Sequence, residues 1–250
     1  MGPSVDRSLL PQEFLQECYD FKREHAPRSA FMRKLMAGEC TRAELVRWAK
    51  DAYYYTEPAV PTIAAWLSQA PIVPNRVIYK ALGRNLAGEM GYIREAEHYE
   101  LYVQFLEGLG VSLAEVRAYL PLASTLGAAA AMGYFCRSSF EEGLGAFGLA
   151  VEMQVPGRAA GAQVIYEALR DHYGLDPRTL EFYEIHVEAE DEHGDNAMKA
   201  VEWFAQTVEQ QARVRRAFRW SVLAHTAMIE GFDRLLDDGV TASAGANSRS

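Results

Sequence analysis

Residues 184–195, which read Glu-Ile-His-Val-Glu-Ala-Glu-Asp-Glu-His-Gly-Asp, set two histidines among six acids. On a helix, at about 100° per residue, His186, Glu190 and His193 fall within about 60° of arc. Phe182, Ala189 and Ala197 share that side, which marks it as the inward one. Glu184, Glu188, Asp191 and Asp195 lie opposite and Glu192 stands off the stripe, so these read as solvated charge. A lone inward histidine is ordinarily a satisfied core residue. Two histidines flanking a carboxylate differ, because a buried carboxylate without a compensating cation is costly. A metal ion offsets that cost, and mixed carboxylate and imidazole donors suit iron or manganese. On the stripe alone, a metal-free core arrangement remains open.

Further donors must come from other helices. His98 opens the segment Glu97-His98-Tyr99-Glu100-Leu101-Tyr102, and Glu89 ends Arg84-Asn85-Leu86-Ala87-Gly88-Glu89. On one continuous helix the two would face opposite ways, but a break at Gly91 could bring both to one site. Glu95 competes with Glu89, since Glu95 and His98 form an E-x-x-H pair on one face. His98 also reads as a plain polar helix-start residue. Glu152 shares a helical face with the small residues Gly145, Gly148, Pro156 and Ala159, and Pro156 predicts a kink at the Glu152 carbonyl. That placement suits a ligand, though simple exposure of Glu152 is the alternative.

The elements that position these residues are helical almost throughout. Helices are predicted over Pro11–His25, from Thr41 (a capping box with Glu44) through Tyr55, and over Pro74–Met90. Others are predicted over Glu97–Leu109, capped by Gly110, and from Asp176-Pro177 toward Phe204. Pro58 and Pro61 restart the chain before Ala64–Leu67. Between Pro121 and Ala168 two helices are expected, divided around Gly143–Gly145. A last helix runs from about Glu209 to Leu236. Alternating β-branched runs are absent, so the expected class is all-α. No linker divides the chain; residues 1–238 read as one domain and 239–250 as a disordered tail.

Composition narrows the function. With 34 Asp and Glu against 25 Lys and Arg, the net charge of −9 disfavours nucleic acid and anionic membrane surfaces. No apolar run approaches the ~20 residues of a membrane span. The N-terminus has no signal-peptide pattern, and three widely spaced cysteines suit neither a disulfide framework nor a thiolate zinc site. The expectation is a cytoplasmic protein with a small-molecule substrate, and a homodimer is the default assembly.

Taken together, these residues resemble the haem-oxygenase-like di-iron oxidases and oxygenases, a family that shares its fold with thiaminase II and pyrroloquinoline-quinone synthase. The resemblance spans Pro11 to Leu236. It is carried by Trp48 with Tyr53-Tyr54-Tyr55, by Arg84-Asn85-Leu86 with Glu89, by His98-x-Glu100-Leu101-Tyr102, by Glu152, and by His186-x3-Glu190-x2-His193. It implies a haem-oxygenase-like bundle of about seven helices. The implied metal ligands are Glu89, His98, Glu152, His186, Glu190 and His193, holding two Fe(II) ions, or manganese, with O2 as co-substrate. Two departures from the family pattern stand out: its usual aspartate is Glu190 here, and the Glu89–His98 spacing is long, which keeps Glu95 open. The implied activity is oxidation of a small amino-acid-like or carboxylic-acid metabolite by C–C cleavage, desaturation or N-oxygenation, in specialised metabolism. A substrate carboxylate would need a basic partner such as Arg84, Arg137 or Arg158, each otherwise an ordinary solvated arginine. Tyr53, Tyr54, Tyr55, Tyr134 and Phe135 are candidate pocket residues, or core packing.

Three rival readings remain. A ferritin-like di-iron bundle would use Glu57 and Glu152 with the E-x-x-H pairs Glu95/His98 and Glu190/His193. A metal-free enzyme like thiaminase II would use Cys136 as nucleophile, or histidines to bind a quinone-like anion. A non-enzymatic interaction protein of this fold is the third.

Overall fold

The computed structural model describes residues 7–71, 76–93, 96–159 and 161–237, without the side chains of residues 77 and 188–198. The proposed tail, and the start of the helix expected at Pro74, lie outside the described residues. Among the described residues there are twelve α-helices and no strand. They are α1 (Pro11–Glu24), α2 (Ala30–Met36), α3 (Arg42–Thr56), α4 (Ala59–Ser68), α5 (Arg76–Glu89) and α6 (His98–Gly108), followed by α7 (Leu113–Arg117), α8 (Ala123–Ser138) and α9 (Phe140–Gly143). A π-helical segment (Leu144–Glu152) continues α9 directly, and α10 (Gly161–His172), α11 (Pro177–Phe204) and α12 (Val208–Gly231) complete the bundle before a final 3-10 turn, Phe232–Leu235.

The number exceeds the expected seven because short polar caps subdivide the chain. Ser29, Ser112 and Ser139 each accept an N–H bond three residues on and open α2, α7 and α9. The long helices begin as their sequences dictate. Thr41 and Glu44 form the predicted capping box of α3, and Asp176 accepts from Thr179 N–H at the start of α11, with Pro177 next.

Two expectations fail for identifiable reasons. Gly143 and Gly145 do not divide a helix; they lie inside continuous helical backbone where neighbours come close. A Cβ on Gly143 would fall 2.3 Å from the Trp66 ring, and one on Gly145 would fall 2.2 Å from the Val214 carbonyl oxygen. The true break is at Ser139, which is fully extended (φ −160°, ψ 165°). Nor does Pro156 kink a helix. The helix stops at Glu152, Met153 is extended, and Pro156 and Ala159 are exposed beyond it, so they share no helical face with Glu152. A helix carried on to residue 156 would lose the N–H bond to the Glu152 carbonyl and meet the proline ring there, which favours ending the helix at Glu152 over bending it.

Two large hydrophobic cores form, with a small third cluster of Phe135, Ala146 and Ala217. One gathers Phe14, Ile63, Trp66, Leu82, Phe147 and Phe218. The other gathers Phe31, Trp48, Tyr102, Phe105, Leu180 and Tyr183. Helix α11 crosses from the second core, through Phe182 and Tyr183, to the first, through Ala200, Val201 and Phe204. Its histidine-bearing stretch therefore sits where one apolar mass hands over to the other. Buried Asp51 on α3 ties the frame together by accepting the Leu122 N–H at the start of α8 (2.7 Å) and the Thr125 hydroxyl.

Candidate metal centre

Glu89 is the last residue of α5, and the chain turns back directly after it. Gly91 takes φ +72°, with Gly91 N–H donating to the Gly88 carbonyl and Tyr92 N–H to that of Ala87. These paired bonds form a Schellman cap, which requires a left-handed residue and so favours glycine. The chain then enters α6 with His98 as its first residue. Gly91 thus supplies the break foreseen in the sequence, and Glu89 Oε2 meets His98 Nδ1 at 2.9 Å with both side chains buried.

His186 arrives from α11, which packs along α6. Its ring centroid lies 4.7 Å from that of His98, and donor atoms of Glu89, His98 and His186 all fall within 4.8 Å of one another. His186 Nδ1–H donates to the Phe182 carbonyl at 2.6 Å, and the Phe182 ring lies tilted against it, 4.4 Å between centroids. That bond fixes the ring and leaves Nε2 as the nitrogen with a lone pair. Burial holds the His186 imidazole below its usual range; the nearby Glu89 carboxylate opposes that shift only in part. The neutral ring is the form that binds metal.

This donor set fits iron. One carboxylate and two imidazoles make the composition that holds Fe(II) with open positions in non-haem oxygenases.

Glu152 ends the π-helical segment, half-buried, and its charge bears on both His186 and Tyr55. π-helical turns are rare and recur at functional sites. Lys22, from α1, closes this one: its ammonium donates to the carbonyls of Leu149 (3.4 Å), Ala150 (3.1 Å) and Met153 (2.6 Å). A cation at a helix C-terminus satisfies its last carbonyls and opposes its dipole. On the far side of Tyr55, its hydroxyl is bonded to His225 Nδ1 at 3.1 Å, and burial lowers the His225 pKa to about 4. Neither Lys22 nor His225 carried a signal in the sequence. Each lies far along the chain from the residues it touches, and neither belongs to a recurring spacing.

Of the six expected ligands, three are brought together and Glu152 borders them. The side chains of Glu190 and His193 lie outside the described residues, although α11 runs unbroken through both positions. Glu95 lies outside them too. Glu57 is exposed and accepts from the Tyr53 hydroxyl at 3.1 Å. The ferritin-like arrangement assigned a role to Glu57 and none to His186, the reverse of what is found. Cys136 is fully buried, and burial pushes its thiol up to about 12, which suits packing and not attack. Arg84, Arg137 and Arg158 are all exposed, the ordinary solvated positions. Tyr53 and Phe135 pack in the interior and Tyr134 faces outward.

A helical bundle that closes over two histidines and a carboxylate defines a class: all-α proteins with a buried site fit for a metal. Residues 46–226 match the family described as iron-containing redox enzyme, and the chain belongs to that family. Solved structures agree on the haem-oxygenase-like fold. A domain of unknown function with a haem oxygenase-like fold from Shewanella denitrificans superposes with a TM-score of 0.72 at 16% identity, covering 92% of this chain and 94% of that one. A TenA homologue from Pseudomonas syringae pv. tomato gives 0.71 at 13% identity, over 94% and 98% of the two chains. A CADD-like protein of unknown function from Nostoc punctiforme gives 0.67 at 18%, over 90% and 97%. No curated protein matches the sequence.

Proposed function

We propose that this protein is a non-haem di-iron oxidoreductase that uses O2 to oxidise a small amino-acid-like or carboxylic-acid metabolite. The observation that carries the reading is the meeting of Glu89, His98 and His186, from three separate helices, at one buried point. Together with Glu152, Glu190 and His193 they make three carboxylates and three imidazoles, enough for two ions. Manganese is the alternative metal for the same donors. When bound, the iron supplies the electrons for dioxygen reduction, which no protein side chain can provide.

The chain's own residues prepare the site. The Phe182 carbonyl orients His186, so its free nitrogen is presented without an entropic search. Phe182 and Tyr102, packed edge to face at 4.8 Å, bring apolar rings beside it. Lys22 holds the end of the segment that delivers Glu152. The range of outcomes expected for the substrate is C–C cleavage, desaturation or N-oxygenation, with a role in specialised metabolism.

The test is anaerobic loading with Fe(II), metal analysis after desalting, and then O2 consumption across a panel of amino and carboxylic acids. About two irons per chain are expected, falling in His98→Ala and His186→Ala variants that keep their helical signal, with one acid accelerating O2 uptake. A folded protein that takes up no iron refutes the reading.

A further inference from the structure

Among the described residues, one face of the bundle is left without cover. Helices α8 and α12 run antiparallel: Gly231 meets Ser124 at one end, and Trp220 packs on Phe135 at the other, 5.8 Å between centroids. The outward-facing residues of the two helices, taken as one strip, include Leu126, Ala130 and Tyr134 from α8 and Trp220, Leu223 and Ala227 from α12, all exposed. Tyr134 and Trp220 leave 60% and 59% of their surfaces open, Leu126 and Leu223 45% and 46%. On side chains of this size that is roughly 450 Å² of exposed surface, the size of the largest patch on a typical monomer, which is often functional.

The strip is patterned from end to end. Aromatic rings stand at one end beside Arg137 and Arg216, and alanine with Leu126 at the other, where α12 presents exposed Glu230. Arg216 is held in place by Glu142 at 2.6 Å and remains half exposed. Leu223 stands midway between Arg216 and Glu230, seven residues from each. A two-fold axis through Leu223 therefore sets the bulky end of one face on the small end of the other, and arginine opposite glutamate.

We propose that this face binds a second copy of the same chain, as an isologous dimer whose axis passes beside Leu223. The exposed area of these side chains is about half of the roughly 800 Å² per partner of a standard interface, close to the apolar share such interfaces have. A polar rim that includes Arg137, Arg216 and Glu230 supplies the rest. An uncharged centre also suits a chain of net charge −9, whose copies repel elsewhere.

The test is sedimentation velocity of the full-length protein at about 10 µM, above the dissociation constants of well-packed standard interfaces. The expected mass is twice the 27.9 kDa of the chain. Trp220→Glu should weaken association at least about 30-fold, as for a central aromatic anchor. Should that variant misfold, Leu223→Cys decides independently. All three native cysteines are buried, so mild oxidation should cross-link only this variant into a covalent dimer, while Tyr79→Cys on α5 stays monomeric on a non-reducing gel. A mass of one chain, which would leave the face to some other macromolecule, overturns the proposal. So does a dimer that survives Trp220→Glu, or one in which Leu223→Cys fails to cross-link.

Discussion

The placement of Glu152 depends on a contact that a single methyl group should break. The π-helical segment packs more extensively on α12 than on any other element. At Gly145 the two backbones approach so closely that a Cβ would lie 2.2 Å from the Val214 carbonyl oxygen and 2.9 Å from the Phe218 nitrogen. Ordinary contact needs more than 3.4 Å, so the segment must retreat by over an ångström, and both obstacles are backbone atoms that cannot rotate away. Overpacking of this kind costs about 1–3 kcal/mol, and rigid neighbours place Gly145→Ala at the upper end. Reduced freedom of the unfolded chain returns about 0.4–1 kcal/mol, which leaves a net loss near 2 kcal/mol. For a chain of this size that lowers the melting temperature by roughly 4–8 °C. Gly83→Ala in α5 is the control: its Cβ meets nothing within 4 Å, so the same substitution should stabilise by about 0.5–1 kcal/mol. Melting followed by circular dichroism reads both. Iron uptake should fall in Gly145→Ala, whose displaced segment carries Glu152, and not in Gly83→Ala. A Gly145→Ala protein that melts at or above the parent temperature refutes the close-approach argument.

Buried titrating groups give two further expected outcomes. Glu44 is fully enclosed and accepts from Lys34 at 2.7 Å, from the Thr41 N–H and from the Asp237 N–H; burial opposes its charge, but the Lys34 ion pair and these amides win and bring its pKa to about 2. Because the folded value lies below the unfolded one, its contribution of about 3 kcal/mol is complete above the ordinary glutamate range and is lost as pH falls toward 2. Urea denaturation between pH 6 and 2 should show Glu44→Gln less stable at neutral pH and flatter on the acid side; parallel curves would contradict the assignment. The cysteines give the second outcome. Burial raises the Cys18 and Cys136 thiols to about 12 and also raises Cys40, so a thiol reagent should label none of them faster than the chain unfolds. Rapid native-state labelling of Cys136 would restore the nucleophile reading.

What the sequence could disclose was local. The Thr41/Glu44 box, the Asp176-Pro177 start and the Gly91 and Gly110 stops act through bonds to residues within five positions, so spacing alone reveals them. The meeting of Glu89 with His98 was foreseeable on the same ground, because it needed only that Gly91 interrupt a helix. The π-helical turn gave no such signal. From Leu144 to Val151 the chain is Leu-Gly-Ala-Phe-Gly-Leu-Ala-Val, apolar or glycine on every side, and a segment buried all round carries no periodicity from which its residues per turn could be read. The contacts it does make are long-range: α12 lies against Gly145, and Lys22 gathers its last carbonyls from more than a hundred residues away.

The same distinction explains why His98 and His186 could be singled out before the fold was known. An imidazole beside a carboxylate is expensive to enclose, so a helix that aims both inward must meet something that offsets the cost. Here α11 reaches His186 just as it leaves one hydrophobic core for the other, and Glu89 and His98 close the gap from α5 and α6. Had those two helices been continuous, their donors would have faced apart. The polar layer would then hold unmatched groups between two apolar masses. The turn at Gly91 is therefore as much a part of the site as the side chains it joins.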